Sequence, residues 1–276
     1  EQLQAALDAA KSGDNLIRFG ADLEGNATIK QADKQNIILD GCGKKFNGVI
    51  TVNGDGRSKG AETLTFTGIN FETTYSDTND ENKWNFITAP SKIDDKYNYS
   101  HNVTIENCTF TNTVTDNYMV GSAAFTGTYN LVMRKCRATN MHSMIQVQSC
   151  DNTAVVDDVT TENCKNGVSF GNTANATLKN SEIVSTAYGV RGDGNDDREQ
   201  IFGGNVVFIQ SKDSFSSATL LLTLVRDNGV GIIIVPPSGG KTPSQRAFNT
   251  AETRKKYFGE KYDIFIAPFE ILDKAK

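Results

Sequence analysis

Proline is scarce in this chain, five among 276 residues, and there are only two histidines and one tryptophan. No stretch approaches the ~18 consecutive apolar residues that a membrane-spanning helix requires, so no membrane span is expected. Positive charge is not in excess. The formal net charge is −5, which gives no support to a nucleic-acid partner. The five cysteines form no C-x-x-C pair, and His101 and His142 are the only histidines to complete a zinc site. No metal site is expected from such spacings. What is abundant is glycine, 24 residues, together with dense Asn and Thr, the turn-forming composition of a β-rich chain with many corners. The chain opens at Glu1 without a Met, the expectation for a processed or trimmed product.

One pattern recurs. Asn102–Thr113 reads NVTIENCTFTNT, and related segments begin at Asn36, Thr63, Asn130, Thr153 and Asn175. Their second and fourth positions are apolar: Ile37/Leu39, Leu64/Phe66, Val103/Ile105, Leu131/Met133, Ala154/Val156 and Ala176/Leu178. Period-two alternation marks a strand with one buried face. Recurrence at intervals of roughly 20–40 residues marks a solenoid whose units bury that face by stacking. No helical periodicity separates the copies, which disfavours leucine-rich and ankyrin arrays. The expected fold is mainly β: a right-handed parallel β-helix, with an N-terminal capping helix and a small C-terminal α/β segment. The seventh position reads Cys42, Ile69, Cys108, Cys136, Val159 and Ser181. The three cysteines are therefore expected to face inward, one above another, as small buried side chains.

Leu3, Ala6, Leu7 and Ala10 have helical spacing, and Gly13 ends the pattern. A short helix here would cover the unpaired end of a solenoid. The segments LQAALDAAKSGDNLIRFGADLEGN and ATIKQADKQNIILDGCGKKFNG resemble the first two turns of right-handed parallel β-helix proteins of the pectate-lyase-like superfamily. The likeness spans about residues 1–195. It implies the fold and a secreted or cell-surface bacterial setting, but no single chemistry, since that superfamily holds lyases, hydrolases, esterases, adhesins and tailspikes.

Residues 73–101 read as a polar loop insertion carrying Tyr75, Trp84, Tyr97 and Tyr99, with Asp77, Asp80, Glu81, Asp94 and Asp95. On a rigid scaffold such a loop is a candidate ligand site. Trp84, Tyr97 and Tyr99 would stack on sugar rings, while Asp94 and Asp95 would bond hydroxyls or hold calcium; alternatively, the aromatics pin the loop to the wall. A polysaccharide-cleaving wall would need facing carboxylates or a base beside acids. The nearest approach is Arg134, Lys135 and Arg137 beside Asp157, Asp158 and Glu162, with alternation sending the two aspartates to opposite faces.

Past Gly192–Asp197 the character changes, and two domains are expected, 1–197 and 198–276. GNVVFIQ (204–210) and GIIIVPP (231–237) read as buried strands around a helix at 216–229, with a Gly-rich loop at 238–245 and a last strand at 262–272. Strand–helix–strand order with continuous apolar strands is α/β patterning. A serine opening a helix after a buried strand, and a lysine in a following Gly-rich loop, form a plausible nucleophile and base. This segment is similar to the catalytic segment of the C-terminal processing (tail-specific) Ser/Lys peptidases. The resemblance implies Ser216 as nucleophile, Lys241 as base and Gln245 as its orienting partner. It covers about 75 residues. Thr219 replaces the motif's glutamate, Val235–Ser238 replaces its Gly-Glu-Pro-Thr, and no peptide-binding domain precedes it.

Two classes of function are thus expected. One is a non-catalytic, adhesin-like or glycan-binding surface protein whose partner is a polysaccharide or a surface protein, with no cofactor. The other is a hydrolase, either a Ser216/Lys241 peptidase or, second, a polysaccharide lyase or hydrolase on the solenoid wall.

Overall fold

In the computed structural model the chain is described over residues 1–30, 35–54, 60–93, 96–193, 199–203, 207–209 and 232–234. Among the described residues it is mainly β with one α-helix, and a large parallel sheet curls into a half-barrel. The strand pairings fall into three columns, and the chain visits the columns in turn.

The first column is the repeat itself. Gly13–Arg18, Gln35–Asp40, Thr63–Thr67 and Ser100–Glu106 pair parallel in that order. Residues 130–134, residues 153–157, Asn175–Lys179 and Glu199–Gly203 continue it. The second column runs from Leu23–Glu24 through Lys45–Asn47, Asn70–Thr73 and Thr109–Asn112. It goes on through residues 137–139, 160–161 and 182–184 to Val207–Ile209 and Ile232–Ile234. The third stacks Ala27–Lys30, Ile50–Asn53, Trp84–Ala89, and then residues 120–125 and 145–148. The long strand Val120–Thr139 pairs in succession with Trp84–Ala89, Ser100–Glu106 and Thr109–Asn112, one strand from each column. A strand that changes partner at each corner is what curls the sheet.

The inward positions expected from alternation are inward. Ile37, Leu39, Leu64, Phe66, Val103, Ile105, Leu131, Met133, Ala154, Val156, Ala176 and Leu178 are all buried. At the start of the second column the buried row is aromatic, and Phe19, directly after the first-column strand Gly13–Arg18, packs against it. Phe19, Phe46, Phe71 and Phe110 follow one another at centroid separations of 6.2, 5.8 and 4.8 Å, the last pair stacked. Phe86 enters from the third column, 5.4 Å from Phe71.

The corners share one device. Between the first two columns, Gly68, Asn107, Lys135, Asp158 and Asn180 all have φ between +51° and +62°. Each is followed by a buried residue: Ile69, Cys108, Cys136, Val159 or Ser181. Asn140 and Asn163 precede buried Met141 and Cys164 in the same way, and Ser149 and Asn172 precede Cys150 and Thr173. A left-handed residue turns the strand, which suits Asn, Asp and Gly. The next side chain then points into a narrow angle. Several of the Cys, Ser and Thr side chains there bond the carbonyl two residues back: Cys108 to Glu106 and Cys136 to Arg134 at 3.2 Å, Ser181 to Lys179 at 2.7 Å, and Thr173 to Gly171 at 3.2 Å; Cys150 bonds the Tyr129 carbonyl at 3.4 Å. Apolar Ile69, Val159 and Met141 fill the same position elsewhere, so burial is the common requirement, and where the side chain is polar, thiol and hydroxyl both serve as donors.

Cys42 is the exception, and the expectation that it faces inward is corrected. It is exposed, while the other four cysteines are buried. Four residues, 41–44, separate Gln35–Asp40 from Lys45–Asn47, where the later corners use two. The repeat frame therefore slips by two residues there. Cys42 itself takes the left-handed conformation (φ +49°), and its N–H donates to Asp40 Oδ1 at 2.9 Å. Gly41 is obligatory in this tight corner, because a Cβ would lie 2.5 Å from the Gly68 carbonyl oxygen.

The first edge of the stack is partly covered. Helix Gln2–Asp8 buries Leu3 and Leu7, and the Gln4 amide stands in for a neighbouring strand. Its Oε1 accepts the Thr28 N–H at 2.7 Å and its Nε2 donates to the Thr28 carbonyl at 3.1 Å. Beyond residue 198 the sequence pattern expects a separate α/β segment. Among the described residues there, Glu199–Gly203 and Val207–Ile209 pair in parallel with Asn175–Lys179 and residues 182–184; the expected helix at 216–229 lies outside the described residues.

Four buried thiols and one exposed thiol give a direct prediction. Under native conditions a maleimide reagent labels one equivalent of thiol, lost in Cys42→Ser, and all five label in denaturant; mass spectrometry of labelled peptides reads the count.

Candidate functional site

Outward positions of the first column form three parallel rows. The middle row is Leu16, Ile38, Thr65, Thr104, Val132, Val155 and Thr177, set side by side by the strand register. Leu16 and Ile38 are 54% and 40% exposed, and the later members are half-buried. One flanking row is Asn36, Thr63, Asn102, Asn130, Thr153 and Asn175. Asn130 donates to Asn102 Oδ1 at 2.8 Å, Asn152 to Asn130 Oδ1 at 2.7 Å, and Asn175 to the Asn152 carbonyl at 2.7 Å. The other flanking row carries charge: Arg18 pairs with Asp40 at 3.2 Å, Arg134 with Glu106 at 2.5 Å, and Lys179 with Asp157 at 3.4 Å. The result is a strip of Leu16 and six β-branched side chains with an amide rim on one side and an ion-paired rim on the other. At about 4.8 Å per strand, the seven strands from Gly13–Arg18 to Asn175–Lys179 extend it over roughly 29 Å.

The insertion at 73–101 differs from a plain loop. Trp84–Ala89 is a third-column strand, with Phe86, Ile87 and Ala89 buried. Trp84 packs edge-to-face on Phe86 at 5.0 Å and Tyr75 on Trp84 at 5.7 Å, so both rings extend the phenylalanine row outward. Asp77 organises the segment before it. Its carboxylate accepts the Asn79 N–H at 2.9 Å and the Asn82 amide at 2.6 Å, which hold it below the usual carboxylate range. Asn98 is buried and ties the far end down, donating to Val52 and Pro90 carbonyls at 3.0 and 2.7 Å. Tyr97 lies in a short antiparallel pairing of Lys96–Tyr97 with Lys92–Ile93. The Tyr99 ring lies against Gly127, where an added Cβ would come within 3.2 Å of it. Asp94 and Asp95 lie outside the described residues.

The wall residues considered for catalysis are spread along the outside. Arg137 pairs with Glu162 and Arg134 with Glu106. Lys135 and Asp158 are the exposed left-handed corner residues; Asp158 leaves the alternation, which corrects the expectation that it faces opposite to Asp157. Among the described residues no group of three or more His, Cys, Asp or Glu is placed to hold a metal ion. The buried thiols are poor nucleophiles: burial pushes Cys164 up to about 11, and Cys108 is raised by burial and by Cys136 beside it. Ser216, Lys241 and Gln245 lie outside the described residues. Sequence reasoning missed one buried ionisable pair, His101 Nδ1 and Glu62 Oε2 at 2.8 Å. Its only signal was a histidine directly before a copy of the repeat.

No protein-family model matches the chain, and neither the curated proteins nor the solved structures searched include a match. Among the described residues no helix is long and apolar enough to cross a membrane.

Asp77 supplies a pH prediction. Its folded-state value is lowered, so its contribution is complete above the ordinary aspartate value of about 3.9 and is lost as pH falls through the lowered value. Hydrogen exchange should show protection of the Asn79 amide persisting at pH 4 and collapsing under stronger acid. In Asp77→Ala that protection is expected to be missing at every pH.

Proposed function

We propose that the chain is a parallel β-helix protein of the cell surface or extracellular space, non-catalytic, whose first-column face binds a polysaccharide. The three columns are read as the three walls of a closed coil. Support for closure comes from the chain's visiting them in fixed order and from one buried cluster that draws on all three, with Phe71, Phe86 and Phe110 in mutual contact between the second and third.

The observation that carries the binding reading is the strip Leu16–Ile38–Thr65–Thr104–Val132–Val155–Thr177 with its polar rims. Sugar rings have apolar C–H faces and hydroxyl edges. A flat row of methyl groups repeating at strand spacing takes the first, and the Asn and charged rims take the second. The rims are already held by their own hydrogen bonds and ion pairs, so little side-chain entropy is lost on binding. A rigid, repetitive surface matches a rigid, repetitive ligand better than a compact one. Aromatic stacking from Trp84 is not required, since that ring belongs to the interior row.

A glycan array tests this, using the parent and a variant carrying Ile38→Glu, Thr104→Glu and Val155→Glu. The parent is expected to retain a polysaccharide, and the variant to bind at least roughly tenfold more weakly with an unchanged circular dichroism spectrum. A parent that retains none rules out glycan binding. Equal binding by both moves the site off this face.

A further inference from the structure

The first column begins with Gly13–Arg18, which has a partner on one side only among the described residues, Gln35–Asp40. At the third column the corresponding edge is closed by the Gln4 amide. At the first column no described strand or side-chain amide does this. The direction of the unused groups follows from one bond. Phe19 N–H donates to the Asp40 carbonyl at 2.9 Å. Backbone groups alternate sides along a strand, so residues 15, 17 and 19 turn theirs toward Gln35–Asp40. Asp14, Leu16 and Arg18 turn theirs to the open edge.

The same three residues carry the outward side chains. Leu16 is 54% exposed, more than Ile38, the Arg18 side chain is 66% exposed, and Asp14 is exposed. In an antiparallel pairing of this strand with itself about Leu16, Leu16 lies opposite Leu16 and Asp14 opposite Arg18, twice. These are the hydrogen-bonded pairs of such a ladder, so every edge N–H and carbonyl of the three residues is used. Side chains of directly opposed residues share a face, which brings the two leucines together and sets each carboxylate beside a guanidinium. Shifting the register by two residues either way leaves edge groups unpaired and breaks the charge match.

We infer that this edge is a self-association surface, and that its partner is a second copy of the chain docked through antiparallel Gly13–Arg18 pairing about a two-fold axis at Leu16. The pairing is isologous and closes as a dimer rather than a fibre. Helix Gln2–Asp8 occupies the same end of the stack at the third column, so the copies meet at the first column and splay apart behind it. The contact is small, and the dimer is of the weak, concentration-dependent class.

Sedimentation velocity on the full chain over a concentration series reaching the millimolar range tests this. The parent is expected to shift reversibly from monomer to dimer. Leu16→Pro removes an edge donor that the Gln35–Asp40 pairing does not use and is expected to abolish the shift. Asp14→Lys sets two cations opposite each other and should weaken association at least roughly tenfold. Asp14→Lys with Arg18→Glu restores the match and should restore the dimer, which guards against a variant that merely misfolds. A parent that stays monomeric throughout, or a dimer indifferent to all three variants, overturns the inference.

Discussion

In-register stacking of parallel strands is the constraint on which this structure depends. A first-column strand such as Thr63–Thr67 has five residues and buries Leu64 and Phe66. Alone it leaves the backbone groups on both its edges unpaired and its inward side chains without cover. The strands before and after it supply both, through Ile37–Leu64–Val103 and Leu39–Phe66–Ile105 contacts at fixed register. Because side chains alternate with period two, a one-residue slip would send both buried side chains to solvent. Stability in such an array is a sum of interfaces between neighbours.

The corners protect that register. A left-handed residue followed by a buried side chain closes these turns in little space, and amide side chains tie successive corners together. Asn140 donates to the Asn112 carbonyl at 2.9 Å and Asn163 to Asn140 Oδ1 at 2.7 Å. The recurring Asn of the sequence thus has a mechanical origin: it is tolerated in the left-handed region and carries an amide that reaches the next turn. The recurring Cys has another. It fits where Ser181 and Thr173 also fit, with Cys108, Cys136 and Cys164 bonding the carbonyl two residues back.

Legibility in the sequence follows from the same physics. The first column is readable because its strands keep strict alternation and repeat their Asn–apolar frame. The corner before Phe46 misleads because it holds two extra residues, which put Cys42 outside while its sequence neighbours still fit the pattern. The third column is hardest to see. Trp84–Ala89 buries the adjacent Phe86 and Ile87, so alternation fails at the point where it would identify a strand, and polar neighbours make the stretch read as a loop. The outward strip is invisible to any single copy of the repeat. Ile38, Thr65, Thr104, Val132 and Val155 become a surface only when the register lays them side by side. The ionisable pair Glu62–His101 joins residues far apart in sequence, and its one local sign is a histidine directly before a copy of the repeat.

Engineered cross-linking tests the register most directly. In a Cys42→Ala background, Thr65→Cys and Thr104→Cys place two thiols on neighbouring strands at directly opposed positions, about 4.8 Å apart at the backbone and within disulfide range. Mild oxidation is expected to join them in the native protein, while Thr65→Cys with Val132→Cys, one strand further away, stays reduced. Cross-linking of the distant pair, or of neither, would contradict the stacking that the whole account rests on.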